Sequence, residues 1–143
     1  MHDFLWRDNN SGTVAIWLLN GFNILQTGSF GAIPSNWVIQ GTGDFNGDGK
    51  WDILWRDSNT GTVAAWLMNG LSILQTGNFF SVPSNWVIQE TGDFNADGNS
   101  DILWRDTSAG AVAIWELNGL AILQSGTVAT VPLNWAIQNA NAD

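Results

Sequence analysis

Two nine-residue stretches concentrate the groups that could do chemistry. Asp44-Phe45-Asn46-Gly47-Asp48-Gly49-Lys50-Trp51-Asp52 and Asp93-Phe94-Asn95-Ala96-Asp97-Gly98-Asn99-Ser100-Asp101 both read D-x-N-x-D-G-x-x-D. Oxygen-bearing side chains at positions 1, 3 and 5 of a tight loop converge on one point, and hard Ca²⁺ takes about six to eight oxygens. Gly49 and Gly98 at position 6 permit the sharp turn, the backbone carbonyl of Lys50 or Asn99 at position 7 adds an oxygen, and Asp52 or Asp101 closes the set. The pattern differs from the EF-hand, whose last ligand is a Glu on an exiting helix, because position 9 here opens a strand. Asp, Asn and Gly also build ordinary turns without metal. Three carboxylates in nine residues, however, repel one another in a metal-free loop, and the arrangement occurs twice. The expected cofactor is Ca²⁺ rather than Mg²⁺, because the ligands are numerous and flexible.

The charge balance agrees. The 143 residues carry 4 Lys plus Arg against 13 Asp plus Glu, a net charge of -9, and six of the acidic residues lie in the two loops. So few cations exclude a nucleic-acid or membrane-surface binder, both of which need basic patches. No apolar run approaches the roughly 20 residues of a spanning helix, and the start Met1-His2-Asp3-Phe4 lacks the regions of a signal peptide, so the chain is read as soluble. Catalysis is not expected. The single histidine is His2, there is no Cys, and nothing pairs a nucleophile with a base. Glu90 and Glu116 do not recur in the other units and read as unrelated surface charges.

The elements that must position the loops follow from a repeat. Trp6, Trp55 and Trp104 are 49 residues apart, as are Trp17, Trp66 and Trp115, and Trp37, Trp86 and Trp135, so nine of ten Trp share one period. Such a repeat is one supersecondary unit stacked on its copies, with the recurring rings packing between units. In the middle unit, strands are expected at Asp52–Asp57, Thr62–Met68, about Leu71–Asn78 and Trp86–Thr91, with Asn69-Gly70 suiting a type I′ turn. No segment keeps a helical period. Ile53 and Trp55 on one side, with Leu54 on the other, describe a sheet buried on both faces.

Four-stranded antiparallel sheets repeating at this length are the blades of a β-propeller. The chain thus reads as one all-β domain of three blades, approximately 1–45, 46–94 and 95–143, with first and last strands at Asp3–Asp8 and Trp135–Gln138. Closed propellers have about four to eight blades. Head-to-tail association of two chains would give a six-bladed ring, a heterologous contact that closes. The alternative is that the sequence is part of a longer propeller.

The stretch Asp44 to Ile53 resembles the FG-GAP/VCBS repeat of integrin α-subunit propellers and of many bacterial secreted and surface proteins. The resemblance spans all three units and implies a propeller with Ca²⁺ between blades, an extracellular or cell-surface setting, and adhesion or ligand binding in place of catalysis. Some fungal lectins look similar, with sugar sites between blades. The third junction departs from the pattern: Asn139-Ala140-Asn141-Ala142-Asp143 lacks the glycine, while Asp3 stands at the closing position.

For ligand recognition the candidates are Trp51, which breaks the period, and Trp37, Trp86 and Trp135, each preceded by Asn in a Pro-containing loop. Trp51 is expected either to cover the loop or to offer a stacking platform. The nine periodic Trp read first as packing residues. Arg7, Arg56 and Arg105 read as buried partners of Asp8, Asp57, Asp106 or of a neighbouring blade. The leading function is lectin-like recognition of a glycan or surface ligand; the competing one is a structural, self-assembling propeller with no small-molecule ligand.

Overall fold

The computed structural model describes residues 3–138, which form eleven strands and no helix. The strands are β1 (Phe4–Arg7), β2 (Thr13–Asn20), β3 (Asn23–Ala32), β4 (Trp37–Gly43), β5 (Asp52–Asp57), β6 (Thr62–Asn69), β7 (Ser72–Ser81), β8 (Trp86–Gly92), β9 (Asp101–Asp106), β10 (Ala111–Asn118) and β11 (Ala121–Thr130). They make three antiparallel sheets, ordered β1-β2-β3, β4-β5-β6-β7 and β8-β9-β10-β11.

The sheets are offset by one strand from the expected units. Trp37 opens the second sheet, pairing with Asp57, and Trp86 likewise opens the third, pairing with Asp106. Sheet boundaries therefore fall in the Pro34 and Pro83 loops, not near 45/46 and 94/95, and each acidic loop joins two neighbouring strands of one sheet. Proline suits the crossing because it has no N–H to give to a ladder. The first sheet consequently has three strands where four were expected, and Trp135–Gln138, expected as a strand, is irregular because no β1-like strand lies beside it among the described residues.

β5 and β9 are buried at every residue, which explains their two apolar faces. Ile53 and Trp55 point into a cluster with Val14 and Ile16 of the first sheet, while Leu54 faces a second cluster with Ile102, Trp104 and Leu117 of the third. The recurring tryptophans are thus mainly packing residues where a neighbouring sheet exists: Trp55 and Trp104 are 1% and 2% exposed, but Trp6, on the uncovered face of the first sheet, is 47% exposed.

The β6–β7 turn is also sharper than its sequence suggests. Asn69 pairs with Ser72, leaving Gly70-Leu71 as the two-residue loop, and Gly70 has φ of 60° while Asn69 and Leu71 do not have positive φ. Glycine at the first central position is the requirement of type II′ rather than the expected type I′.

The arginines hold the sheet boundaries. Arg56 donates through Nη1 to the carbonyl of Trp86 at 2.6 Å and through Nη2 to Val82 at 2.8 Å and Pro83 at 3.2 Å, and its guanidinium stacks 5.0 Å from the Trp104 ring. Arg7 donates to the carbonyls of Ile33 and Pro34 and stacks on the Trp55 ring, while Arg105 donates to the carbonyls of Val131, Pro132 and Trp135. Of the two expected partners, the neighbouring sheet is the one found for Arg7 and Arg56, and the aspartates accept turn N–H groups, Asp57 from Asn59 at 2.9 Å and Asp106 from Ser108 at 2.8 Å. Lysine has neither the planar fork nor the stacking face for this. Arg56→Lys is therefore expected to destabilise the fold by about 2 kcal/mol, read as a lower urea midpoint with an unchanged slope.

Candidate metal centre

The two acidic loops have the same internal architecture. In the first, the Asp44 carboxylate accepts the N–H groups of Asp48 (3.1 Å) and Gly49 (2.8 Å), and Asp48 Oδ1 accepts that of Lys50 (2.9 Å). In the second, Asp93 accepts from Asp97 (3.1 Å) and Gly98 (2.9 Å), and Asp97 from Asn99 (2.9 Å). Asn46 and Asn95 lie close enough for their amides to reach Asp48 and Asp97. Gly49 and Gly98 have φ of 82° and 90°, so position 6 does need glycine. Position 4 differs: Ala96 has φ of 60°, alone among the described non-glycine residues in being positive, while at Gly47 a side chain would run into Asn99 of the other loop.

Position 9 anchors each loop. Asp52 is fully buried and bonds its own loop and the next strand, β6, at once: Oδ2 accepts from Phe45 N–H at 3.0 Å and Oδ1 from Met68 N–H at 2.8 Å. Asp101 does the same with Phe94 at 3.1 Å and Leu117 at 2.9 Å. Burial pushes the Asp52 carboxyl up to about 6, against two backbone hydrogen bonds that lower it, and Asp48 and Asp44 add like-charge repulsion. Asp101 is raised for the same reasons, burial first, with Asp97 and Asp93 adding repulsion. Asp93 is lowered, mainly by the Gly98 N–H. Each loop thus holds a desolvated carboxylate that is repelled by two others.

The donor set fits a divalent hard cation. One oxygen each from Asp93, Asp97 and Asp101 lie within 4.8 Å of one another. Two oxygens that share a Ca²⁺ at about 2.4 Å can be no more than about 4.8 Å apart, so these three are close enough to share one ion. Among the described residues only Asp93, Asp97 and Asp101 of the expected ligands are gathered in this way; Asp44, Asn46, Asp48, Lys50 and Asp52 of the first loop share the hydrogen-bond pattern of Asp93, Asn95, Asp97, Asn99 and Asp101. The two loops also touch: Ser100 N–H donates to the Asp44 carbonyl at 2.7 Å, and Asp44 N–H donates to Ser100 Oγ at 3.0 Å.

Trp51 has a role that its sequence position hides. In the second and third sheets, the second oxygen of the anchoring aspartate takes an N–H from the phenylalanine of the preceding loop. Asp3 occupies that position in the first sheet and accepts Leu19 N–H at 3.2 Å, and its other oxygen accepts the Trp51 indole Nε1–H at 3.1 Å. Trp51 also packs against the cluster between the first two sheets, where the other boundary uses the fully buried Phe45. Trp51 is thus a lid, but over Asp3 of the neighbouring sheet instead of over its own loop. The signal in the sequence was its departure from the period. A third metal site involving residues 139–143 lies outside the described residues.

The remaining ligand candidates sit apart from the acidic loops. Trp37 and Trp86 are half-buried at the starts of β4 and β8, each closing a turn back to its proline carbonyl, and Trp135 is 66% exposed. Trp37 lines a cleft of about 480 Å³ with Pro34, Trp55, Trp66, Thr76 and Asn78, and Trp86 lines one of about 610 Å³ with Gln40, Asp57, Asn59 and Ser84.

Residues 44–104 match the FG-GAP-like repeat family. The chain thus carries an FG-GAP-like repeat, and the matched segment holds both acidic loops, three strands of the second sheet (β5, β6 and β7) and the start of the third. The chain has no match among curated proteins or solved structures.

Two outcomes follow. An acid whose folded pKa lies above its unfolded value destabilises the fold once ionised. In chelator, the Asp52 contribution should therefore stabilise the protein as pH falls from about 6 toward 3.8, a gain that denaturation of Asp52→Asn at the same pH values should lack. Trp51→Phe, which keeps the ring and loses the N–H, should cost about 1 to 2 kcal/mol by leaving Asp3 short of a donor, measured by urea denaturation.

Proposed function

We propose that the chain is a calcium-binding β-propeller module of extracellular or cell-surface type that recognises a ligand rather than transforming one. The observation that carries the reading is the second loop, in which buried Asp101, half-buried Asp93 and exposed Asp97 bring one oxygen each within reach of a single ion, with the first loop repeating its hydrogen-bond pattern. Bound Ca²⁺ would supply the missing positive charge, and two ions would change the formal charge from -9 to -5. The loop residues would then hold β4 to β5 and β8 to β9, and through Ser100 one loop to the other. The same reading extends to association of two chains head to tail into a ring of six sheets, within the range in which propellers close.

Recognition of a carbohydrate is supported by the clefts beside Trp37 and Trp86, which set an aromatic wall against Asn, Asp, Gln and Ser groups. Such sites take sugars by stacking an apolar ring face and hydrogen-bonding its hydroxyls. A second reading, a structural propeller without a small-molecule ligand, is favoured by Trp51, whose indole is committed to Asp3, and by Trp37 and Trp86, which pack on the core clusters.

Calorimetric titration of the chelator-treated chain should give two Ca²⁺ per chain and a rise in melting temperature, with Asp97→Asn losing one site. A melting temperature indifferent to chelator overturns the metal reading. Glycan-array screening in Ca²⁺ separates the two functions: saturable binding weakened by Trp37→Ala supports recognition, and silence across a broad panel leaves the structural reading.

A further inference from the structure

The boundaries between the three sheets are copies of one another, and the copies leave a matched pair of unfilled halves. At the first boundary, Leu71 packs on the flat backbone of Gly28; at the second, Leu120 packs on Gly77. The next position in each series is Gly126, which has open space before it, and Phe22, which is fully exposed. Rings repeat the relation. Phe30 meets Trp66 edge-on at 6.1 Å and Phe79 meets Trp115 at 6.2 Å, whereas Val128 is 64% exposed and Trp17 has no such partner from another sheet.

The strand that crosses each boundary leaves the same remainder. After β3 and β7 the chain enters the next sheet, where Asn36 bonds Asp57 at 3.0 Å and Asn85 bonds Asp106 at 3.0 Å before β4 and β8 pair with β5 and β9. Among the described residues, Asn134 and Trp135–Gln138, which correspond after β11, reach no strand, and β1 has one edge unpaired. An open edge with a waiting strand of the right sequence is a site for β-augmentation.

We infer that Trp135–Gln138 of one copy of this chain adds to β1 of a second copy as its missing fourth strand, with Asn134 bonding Asp8 across the junction and Phe22 seating on Gly126. The register follows from the other two sheets: Trp135 opposite Asp8, Ala136 opposite Arg7 and Ile137 opposite Trp6. The occupant is a second copy, because the surfaces on the two sides continue an interface that the chain already makes twice within itself. Three sheets are fewer than the roughly four to eight with which propellers close, and a second copy supplies both an open edge for the strand and three further sheets. This deepens the head-to-tail reading above by naming the strand that is exchanged.

The full chain should have twice the mass of 15.5 kDa by light scattering, and a persistent monomer overturns both the exchange and the ring. Facing residues of an antiparallel pair lie about 4.5 to 5.5 Å apart, within disulfide reach. Because the chain has no Cys, mixing Asp8→Cys with Trp135→Cys under mild oxidation should give a covalent dimer that neither variant gives alone. A dimer of the right mass that fails to cross-link overturns the strand exchange while leaving the ring. Phe22→Asp, at a fully exposed position, should raise the dissociation constant at least tenfold with an unchanged circular dichroism spectrum; undiminished association would count against the seating on Gly126.

Discussion

A buried carboxylate that ties two backbone segments together is the constraint on which the rest of this structure depends. Asp52 and Asp101 each accept one N–H from the loop before them and one from the strand that follows their own. The first bond fixes the loop and the second fixes the strand order. Burying the charge is costly, and the neighbouring carboxylates increase the cost. The loop is therefore set up to favour a cation for the same reason that it organises the sheet.

Asp3 shows how far the constraint reaches. It keeps the bond to the strand, to Leu19, and takes its other donor from a different element. The indole of Trp51 fills that role from the adjacent sheet. One non-repeating residue thus repairs the edge of a repeating array, and the same ring covers apolar surface that Phe45 covers at the other boundary. Between sheets, Arg7 and Arg56 act in parallel by donating to the carbonyls of each crossing loop while lying on the next tryptophan. Polar satisfaction and ring packing are met by the same side chain.

Much of this was legible in the residues. The period of 49 gave the number of units, the alternation around Leu54 gave the doubly buried strand, and the spacing of Asp, Asn and Gly gave the loops. What was misplaced was pairing. A strand such as Trp37–Gly43 carries no mark saying whether it closes one sheet or opens the next, since only its hydrogen-bonded partner decides that. The choice between the aspartates and the neighbouring sheet as arginine partners stayed open for a related reason, because backbone carbonyls have no signature in a sequence.

By itself, then, the sequence determined the elements and the chemistry of the loops, because local periodicity and turn residues act over a few positions. Tertiary structure alone decided that the acidic loops lie within sheets, that Trp51 serves Asp3 from 48 residues away, and that the first sheet lacks a strand. These depend on which surfaces meet, and a repeat offers several near-equivalent surfaces whose assignment is fixed only when the whole set is packed together.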